Sequence, residues 1–153
     1  MGYADTLPYQ QVTLKSGLKV SFIDVGTVAT DWDIGTITIP NFKRPISLAY
    51  LDIHVQRCTN DNVATNYMIT AGSFGIVDSG ATYRSAQAIS GNTCYTTGAT
   101  TWDNHIIIPG TTDIHAYITP GATHTIQFQD IRSNSDSLHL LEVYAELRCY
   151  FAI

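Results

Sequence analysis

The chain has 153 residues, of which 44% are apolar and 14% are charged, and its formal net charge is -5. Charged residues usually make up about 25% of a soluble domain. The shortage falls on lysine and glutamate, of which there are three and two. Threonine, isoleucine and tyrosine are abundant instead, and these side chains favour strands over helices. The composition disfavours a helical bundle, a coiled coil and a disordered chain, and the length predicts one all-β domain.

The charge pattern argues against nucleic acid as a direct partner. The arginines are scattered, and Lys43–Arg44 is the only adjacent basic pair, whereas nucleic-acid binding requires clustered cations. No apolar run approaches the ~20 residues of a membrane span, and the N-terminal residues show no apolar signal core, so we expect no membrane association. The chain has three cysteines, an odd number, and no two of them form a CxxC motif, so the sequence shows neither a disulfide framework nor a zinc site. This predicts synthesis in a reducing host cytoplasm.

The N-terminal part is predicted to form an arm and a hairpin over residues 1–30, followed by a sandwich over residues 31–153. Val12–Lys15 and Leu18–Phe22 are short alternating segments on either side of Ser16–Gly17. A short polar pair containing glycine between two such segments is typical of a β-hairpin.

Two well-marked strands follow. Trp32–Pro40 changes the phase of its apolar residues at Gly35, which predicts a β-bulge there. After Pro45, alternation places Leu51, Ile53 and Val55 on one face of a strand, with polar and aromatic residues on the other.

The middle of the chain predicts shorter elements. Ser90–Trp102 is rich in threonine and glycine and predicts a long loop, and Pro120–Gly121 predicts a turn. Strands are predicted, in chain order, at Met68–Asp78, Tyr83–Ile89, His105–Pro109, Asp113–Thr119 and Thr123–Gln129.

The C-terminal segment carries two conflicting patterns. Its leucine, glutamate and alanine content favours a helix that Ser137 could cap. However, apolar residues alternate without interruption from Leu141 to Ile153. Because periodicity outweighs propensity, we expect one long strand.

The predicted fold is therefore an all-β, antiparallel two-sheet sandwich of jelly-roll type, with about eight strands after the N-terminal hairpin. An immunoglobulin-like sandwich is the alternative, but its Cys…Trp…Cys spacing is absent. The Trp32–Pro40 strand, the succession of alternating strands and the Leu138–Ile153 strand resemble the small single-jelly-roll proteins of viruses: capsid, decoration and fibre-tip subunits. The resemblance implies a structural subunit located in the virion. The lack of a basic arm favours a decoration or minor capsid protein.

Outward-facing aromatic residues give the candidate interface. Tyrosine and arginine are enriched in protein interfaces, whereas lysine and glutamate are depleted there. The scarcity of lysine and glutamate therefore suggests a surface used for contacts with other subunits. Together with the viral resemblance, it implies a non-enzymatic protein that associates with itself, as an expected homotrimer, and cements neighbouring capsid subunits. The predicted interface residues are Tyr50, Tyr117, Tyr144, Arg148 and Tyr150.

One motif supports an enzymatic alternative. Phe74–Thr82 resembles the active-site loop of retroviral-type aspartic proteases, in which paired aspartates from two subunits activate water. The resemblance implies Asp78 as the catalytic carboxylate and Ser79–Gly80 as its supporting loop. The second apolar-apolar-glycine element of that family would be Ile107–Gly110, where Pro109 interrupts the pattern. The preferred interpretation is a turn at Asp78.

A carbohydrate-binding or receptor-binding module on the same fold is the other alternative. It would use Tyr95 and Trp102 as aromatic contacts and Asp103 as a polar partner. The histidines lack the HxH, HxxxH and HExxH spacings of metal sites. A cupin would need a close HxH pair, so neither a metal nor another cofactor is predicted.

Overall fold

A computed structural model describes residues 9–17, 19–24, 30–60, 69–93, 101–102, 106–132 and 138–152. Over these ranges the chain is built of β-strands, with a 3₁₀ helix at His115–Tyr117. The strands are β1 (Tyr9–Lys15), β2 (Lys19–Asp24), β3 (Thr30–Thr38), β4 (Leu48–Asn60), β5 (Ile69–Val77), β6 (Tyr83–Thr93), β7 (Thr101–Trp102), β8 (Ile106–Ile108), β9 (Thr123–Arg132) and β10 (Leu138–Ala152).

The strands form two antiparallel sheets. In the first sheet β10 and β4 are central, β1 and β2 pair with the outer side of β10, and β7 and β8 pair with the outer side of β4. The second sheet has the order β3-β9-β5-β6. Most neighbours in the two sheets come from distant parts of the chain, whereas β5 and β6 are consecutive, as in a jelly roll. The predicted all-β jelly-roll sandwich is confirmed.

The core between the sheets is made of the inward residues of the alternating strands. On β10, the side chains of Val143, Ala145, Leu147, Cys149 and Phe151 are at most 5% exposed. The predicted long C-terminal strand is therefore confirmed. Burial also raises the pKa of Cys149 to about 11, so this thiol stays protonated in the core.

The N-terminal hairpin predicted at Ser16–Gly17 is wrong. Among the described residues β1 and β2 both pair with β10, one after the other, from Tyr9 opposite Ala152 to Asp24 opposite Leu138. Ser16 carries the ladder across the break: its N–H donates to Ala145 O (2.9 Å), and its Oγ accepts from the N–H of Ala145 (2.8 Å). Because these bonds continue the pairing with β10, the chain does not reverse here.

The phase change predicted in β3 is confirmed and has a clear consequence. The pairing of β3 with β9 shifts between Asp33 and Gly35, and Gly35 has a φ of 148°. This bulge re-aims the strand, so Ile34, Ile37 and Ile39 all point into the core, each at most 2% exposed.

The strand predicted over Asp113–Thr119 is also wrong, since this segment contains the 3₁₀ helix His115–Tyr117. The carboxylate of Asp113 accepts the N–H of His115 (3.0 Å) and the N–H of Ala49 (2.9 Å), which fixes a turn against β4. Ile114 is fully buried and Ile118 is 7% exposed, so the residues on either side of the helical turn both pack into the core.

Candidate functional site

The outward surface of the first sheet carries most of the predicted interface residues. Strand β10 pairs with β4 so that Arg148 lies opposite Tyr50, Glu146 opposite Asp52 and Tyr144 opposite His54. The inward neighbours of these residues fill the core, so these side chains point away from it. We call this surface the tyrosine–arginine face; it comprises Tyr50, Asp52, His54, Tyr144, Glu146, Arg148 and Tyr150.

Arg148 is the centre of this face. Its Nε donates to Asp52 Oδ2 (2.7 Å), and its Nη2 donates to Asp52 Oδ1 (3.1 Å), which is a bidentate ion pair. Its Nη1 donates to the hydroxyl of Tyr150 (3.0 Å). The hydrogen bonds to Asp52 raise the pKa of Arg148 above its ordinary value, so its positive charge is permanent.

Two tyrosines enclose the guanidinium group. Tyr50 and Tyr150 meet edge to face, with ring centroids 6.1 Å apart, and the guanidinium carbon of Arg148 lies 5.4 Å from the centroid of Tyr50. Both contacts restrict side chains that would otherwise sample several rotamers. The aromatic part of the face is therefore held in one arrangement before any partner binds.

The other half of the face is organised around His54. Its ring stacks on Tyr144 at a centroid distance of 4.5 Å, and its Nε2 lies 3.2 Å from Glu146 Oε2. Lys15, on the neighbouring strand β1, forms an ion pair with Glu146 (3.2 Å). Lys15 on β1 and Arg148 on β10 thus each pair with a carboxylate, Glu146 and Asp52 respectively.

Two polar residues of the face are buried although they belong to the outer surface. Asp52 is 7% exposed and His54 is 5% exposed, because the longer tyrosine and arginine side chains lie over them. Asp52 also accepts the backbone N–H of Gly110 (3.0 Å). Sequence reasoning did not select Asp52, His54 or Glu146, because their partners depend on the register between β4 and β10.

Tyr117 lies apart from the other predicted interface residues. It belongs to the 3₁₀ helix, where it is 37% exposed, and the guanidinium carbon of Arg84 on β6 lies 4.5 Å from its ring centroid. The structure therefore brings together Tyr50, Tyr144, Arg148 and Tyr150, and it separates Tyr117 from them.

The alternative ligand-binding set falls largely outside the described residues. Tyr95 and Asp103 lie in undescribed ranges, and for Trp102 only the backbone of β7 is described, opposite Cys58 on β4. The carbohydrate-binding interpretation stays a prediction.

Asp78 occupies a tight turn between β5 and β6. Its Oδ1 accepts the N–H groups of Gly80 and Thr82, each at 2.9 Å, and its Oδ2 accepts Arg84 Nε (2.8 Å). Ala81 has a φ of 62°, as such a turn requires. This geometry is that of a turn-capping carboxylate, as in the preferred interpretation of the sequence.

The pH dependence of stability tests this role of Asp78. The N–H of Thr82 and, next, the side chain of Arg84 lower the pKa of Asp78 below its ordinary value of 3.8. The stabilisation is therefore complete above that value and is lost as the pH falls through the lower pKa of the folded state. We expect a higher Tm for the native chain than for Asp78→Asn at about pH 6, with the gap closing toward about pH 2.

Calorimetry of both proteins over this range measures the gap. Asp113 also has a lowered pKa, because hydrogen bonds from Ala49 and His115 outweigh the effect of burial, but it is common to both proteins and cancels. A gap that is the same at every pH would contradict the turn-capping role.

Other expected features concern histidine, metals and membranes. His124 is 1% exposed; its Nδ1 lies 2.9 Å from Val77 O, and its Nε2 accepts the N–H of Thr119 (3.0 Å), so both ring nitrogens of this core residue have hydrogen-bond partners.

Within the described ranges no group of three or more histidine, cysteine or acidic residues is placed to hold a metal ion. In the same ranges there is no helix with the length and apolar character needed to cross a membrane.

Comparisons with known proteins find a weak likeness of fold. No protein-family model and no curated protein matches the chain. Among solved structures, the chain is similar to one titled "Structure of infectious bursal disease virus Gx strain", with 11% identity and a TM-score of 0.43. The match covers 95% of this chain and 37% of the viral one, so the chain spans little more than a third of that protein. The resemblance expected from the sequence is found at this weak, fold level.

Proposed function

We propose that this protein is a non-enzymatic structural subunit of a virus particle, a decoration or minor capsid protein that associates with itself and with neighbouring subunits. The observation that carries the proposal is the tyrosine–arginine face, a partly exposed aromatic surface on which Arg148 is paired with Asp52 and Glu146 with Lys15. The jelly roll is a fold that capsid proteins use, among other proteins, so the fold is compatible with this role without defining it.

The chemistry of the face suits contact with protein. Interfaces are enriched in tyrosine and arginine, and the residues that contribute most to binding are tyrosine, tryptophan and arginine. Because Arg148 is paired with Asp52, and Lys15 with Glu146, a partner can cover the face without burying an unpaired charge.

The restricted rotamers of the face also favour association. Ordering one long side chain at an interface costs about 0.5–1.5 kcal/mol, and contacts already made within the face reduce this loss. The net charge of -5 favours protein over nucleic acid as the partner. We expect copies to associate through this face around a three-fold axis, as a trimer on the outside of a shell.

Light scattering during size-exclusion chromatography tests self-association. The native chain is expected to elute as a trimer or a multiple of one at micromolar concentration. In the double variant Tyr50→Ser/Tyr150→Ser, the association constant should fall by at least about 30-fold, since each tyrosine at the centre of an interface contributes about 1–2 kcal/mol or more.

Tyr117→Ser is the matched control, because Tyr117 is a partly exposed tyrosine in a cation–π contact with an arginine but lies outside the face. It should associate like the native chain. A native chain that is monomeric at micromolar concentration, or an equal loss in both variants, would contradict the proposal.

A further inference from the structure

Strand β1 is an edge strand of the first sheet in the part of the chain that the structure describes. Its seven residues pair with β10 in one unbroken register from Tyr9 opposite Ala152 to Lys15 opposite Glu146. Within the described part of the chain no strand pairs with its other side. A free edge carries a row of backbone N–H and C=O groups that can pair with another strand.

Two other edge strands, β3 and β8, carry features that protect an edge, whereas the described residues of β1 carry none. Strand β3 is bent by two register shifts, and β8 has three residues and is followed by Pro109. Natural proteins block edges with such bulges, prolines and short strands, or with charges. Strand β1 contains no proline or glycine, and its only charged residue is the terminal Lys15.

The backbone geometry shows which groups face outward from β1. The N–H of Ser16 donates to Ala145 O, so Ser16 points toward β10. Groups alternate along an antiparallel strand, so Val12 also points its N–H and C=O toward β10, whereas Gln11 and Thr13 point theirs away. Gln11 and Thr13 are exposed. Their four backbone groups form the free edge at its centre.

We infer that β1 pairs with β1 of a second copy, antiparallel, about a two-fold axis that passes through Val12. In this register Gln11 lies opposite Thr13 of the second copy, and these residues exchange the backbone hydrogen bonds that face outward. Val12 lies opposite its own counterpart as a non-hydrogen-bonded pair, the closer type of pair. The two sheets then form one continuous sheet, an isologous contact of β-augmentation type.

Charge and exposure favour a second copy as the occupant. The only charge on β1, Lys15, comes to lie opposite Tyr9, so the register opposes no like charges. Val12 is 36% exposed and lines a cleft with Phe42 and Phe151, whose rings meet edge to face at 4.7 Å. The polar side of this cleft is formed by Gln10, Lys43 and Arg44. Pairing places the second Val12 beside the first and withdraws both from water.

This contact goes beyond the proposed function and does not depend on it. It lies in the plane of the sheet, so it leaves the tyrosine–arginine face free. With both contacts intact, the three-fold and two-fold axes together give assemblies of six or more copies. Loss of the face should leave dimers, and loss of the edge should leave trimers, so each contact can fail without the other.

Two charge variants test the register, each made in the Tyr50→Ser/Tyr150→Ser background. Gln11→Lys/Thr13→Lys places lysine opposite lysine at both outward pairs, whereas Gln11→Glu/Thr13→Lys places glutamate opposite lysine. Both carry the same lysine beside Arg148, so any effect on the fold from that contact is matched. Sedimentation equilibrium should show dimerisation at least about tenfold weaker for the first variant, and equal or tighter for the second.

Hydrogen exchange of the amides gives a second measurement on the native sequence. The N–H groups of Gln11 and Thr13 should exchange more slowly as protein concentration rises, whereas exposed amides outside β1 should not change. The inference is overturned if the two charge variants dimerise equally, or if exchange at Gln11 and Thr13 is independent of concentration.

Discussion

Replacing Gly110 with alanine is expected to lower the free energy of unfolding by at least about 3 kcal/mol. A Cβ atom on Gly110 would lie 1.9 Å from the carbonyl oxygen of Leu51 and 2.9 Å from its carbonyl carbon. Both atoms belong to the backbone of β4, a central strand of the first sheet, so no side-chain rotation can relieve the clash. The displacement would also move the N–H that Gly110 donates to Asp52, beneath the tyrosine–arginine face.

Gly17→Ala is the control for this substitution. An added Cβ there meets no atom within 4 Å, and its φ is not in the left-handed region. Its effect should stay within about 0.5 kcal/mol, the range of ordinary surface substitutions. Urea unfolding of the two variants and the native chain measures both values. If Gly110→Ala unfolds at the same urea concentration as the native chain, the backbone at Gly110 does not approach Leu51 on β4 this closely.

The sequence predicted those elements whose pattern is local and repeated. In β10 alternate residues are buried against the second sheet, so periodicity alone identifies the strand from Val143 to Phe151. The bulge in β3 was also predictable, because Gly35 coincides with a change in the apolar phase. In both cases the sequence itself carries the geometric information.

The N-terminal hairpin could not be excluded from the sequence. A Ser-Gly pair fits a reversing turn and also fits a break within a strand. Ala145, which is 129 residues away from Ser16 in the sequence, decides between the two. Its C=O accepts the N–H of Ser16, and its N–H donates to the Oγ of Ser16. At Asp113–Thr119 the ambiguity is similar, because Ile114 and Ile118 fit a strand or one helical turn. The hydrogen bonds that Asp113 accepts from His115 and from Ala49 on β4 favour the turn.

The candidate site was predictable only in part, because alternation within a strand is a local pattern whereas the pairing between strands is not. Alternation alone placed Tyr50, Tyr144, Arg148 and Tyr150 on outward faces, and the structure gathers them on one surface. The pairing of Arg148 with Asp52 depends on a register that joins strands from opposite ends of the chain. Periodicity within a strand carries no information on that register.

The second large effect is expected from Arg148→Met, which should lower the free energy of unfolding by roughly 2–3 kcal/mol. The substitution keeps the apolar stem that packs beside Tyr50 and removes the guanidinium group. Asp52, whose side chain is 10% exposed, is then left as a largely buried charge that has lost its cation and keeps the hydrogen bond from the N–H of Gly110. We place the effect below the 3–5 kcal/mol typical of fully buried pairs, because the Arg148 side chain is 29% exposed.

A double-mutant cycle with Asp52→Asn separates the lost pair from the lost packing. Asparagine can still accept the N–H of Gly110 but carries no charge, so Arg148→Met should cost about 1 kcal/mol or less in that background. Urea unfolding at neutral pH of the four proteins gives the coupling energy between the two residues. If Arg148→Met costs the same free energy in the native chain and in the Asp52→Asn background, the ion pair does not stabilise the fold.

The oligomeric state of Arg148→Met shows whether Arg148 also acts in association. A large coupling energy with unchanged oligomerisation would confine the role of Arg148 to folding, whereas weakened association would extend the role of Arg148 to the contact surface.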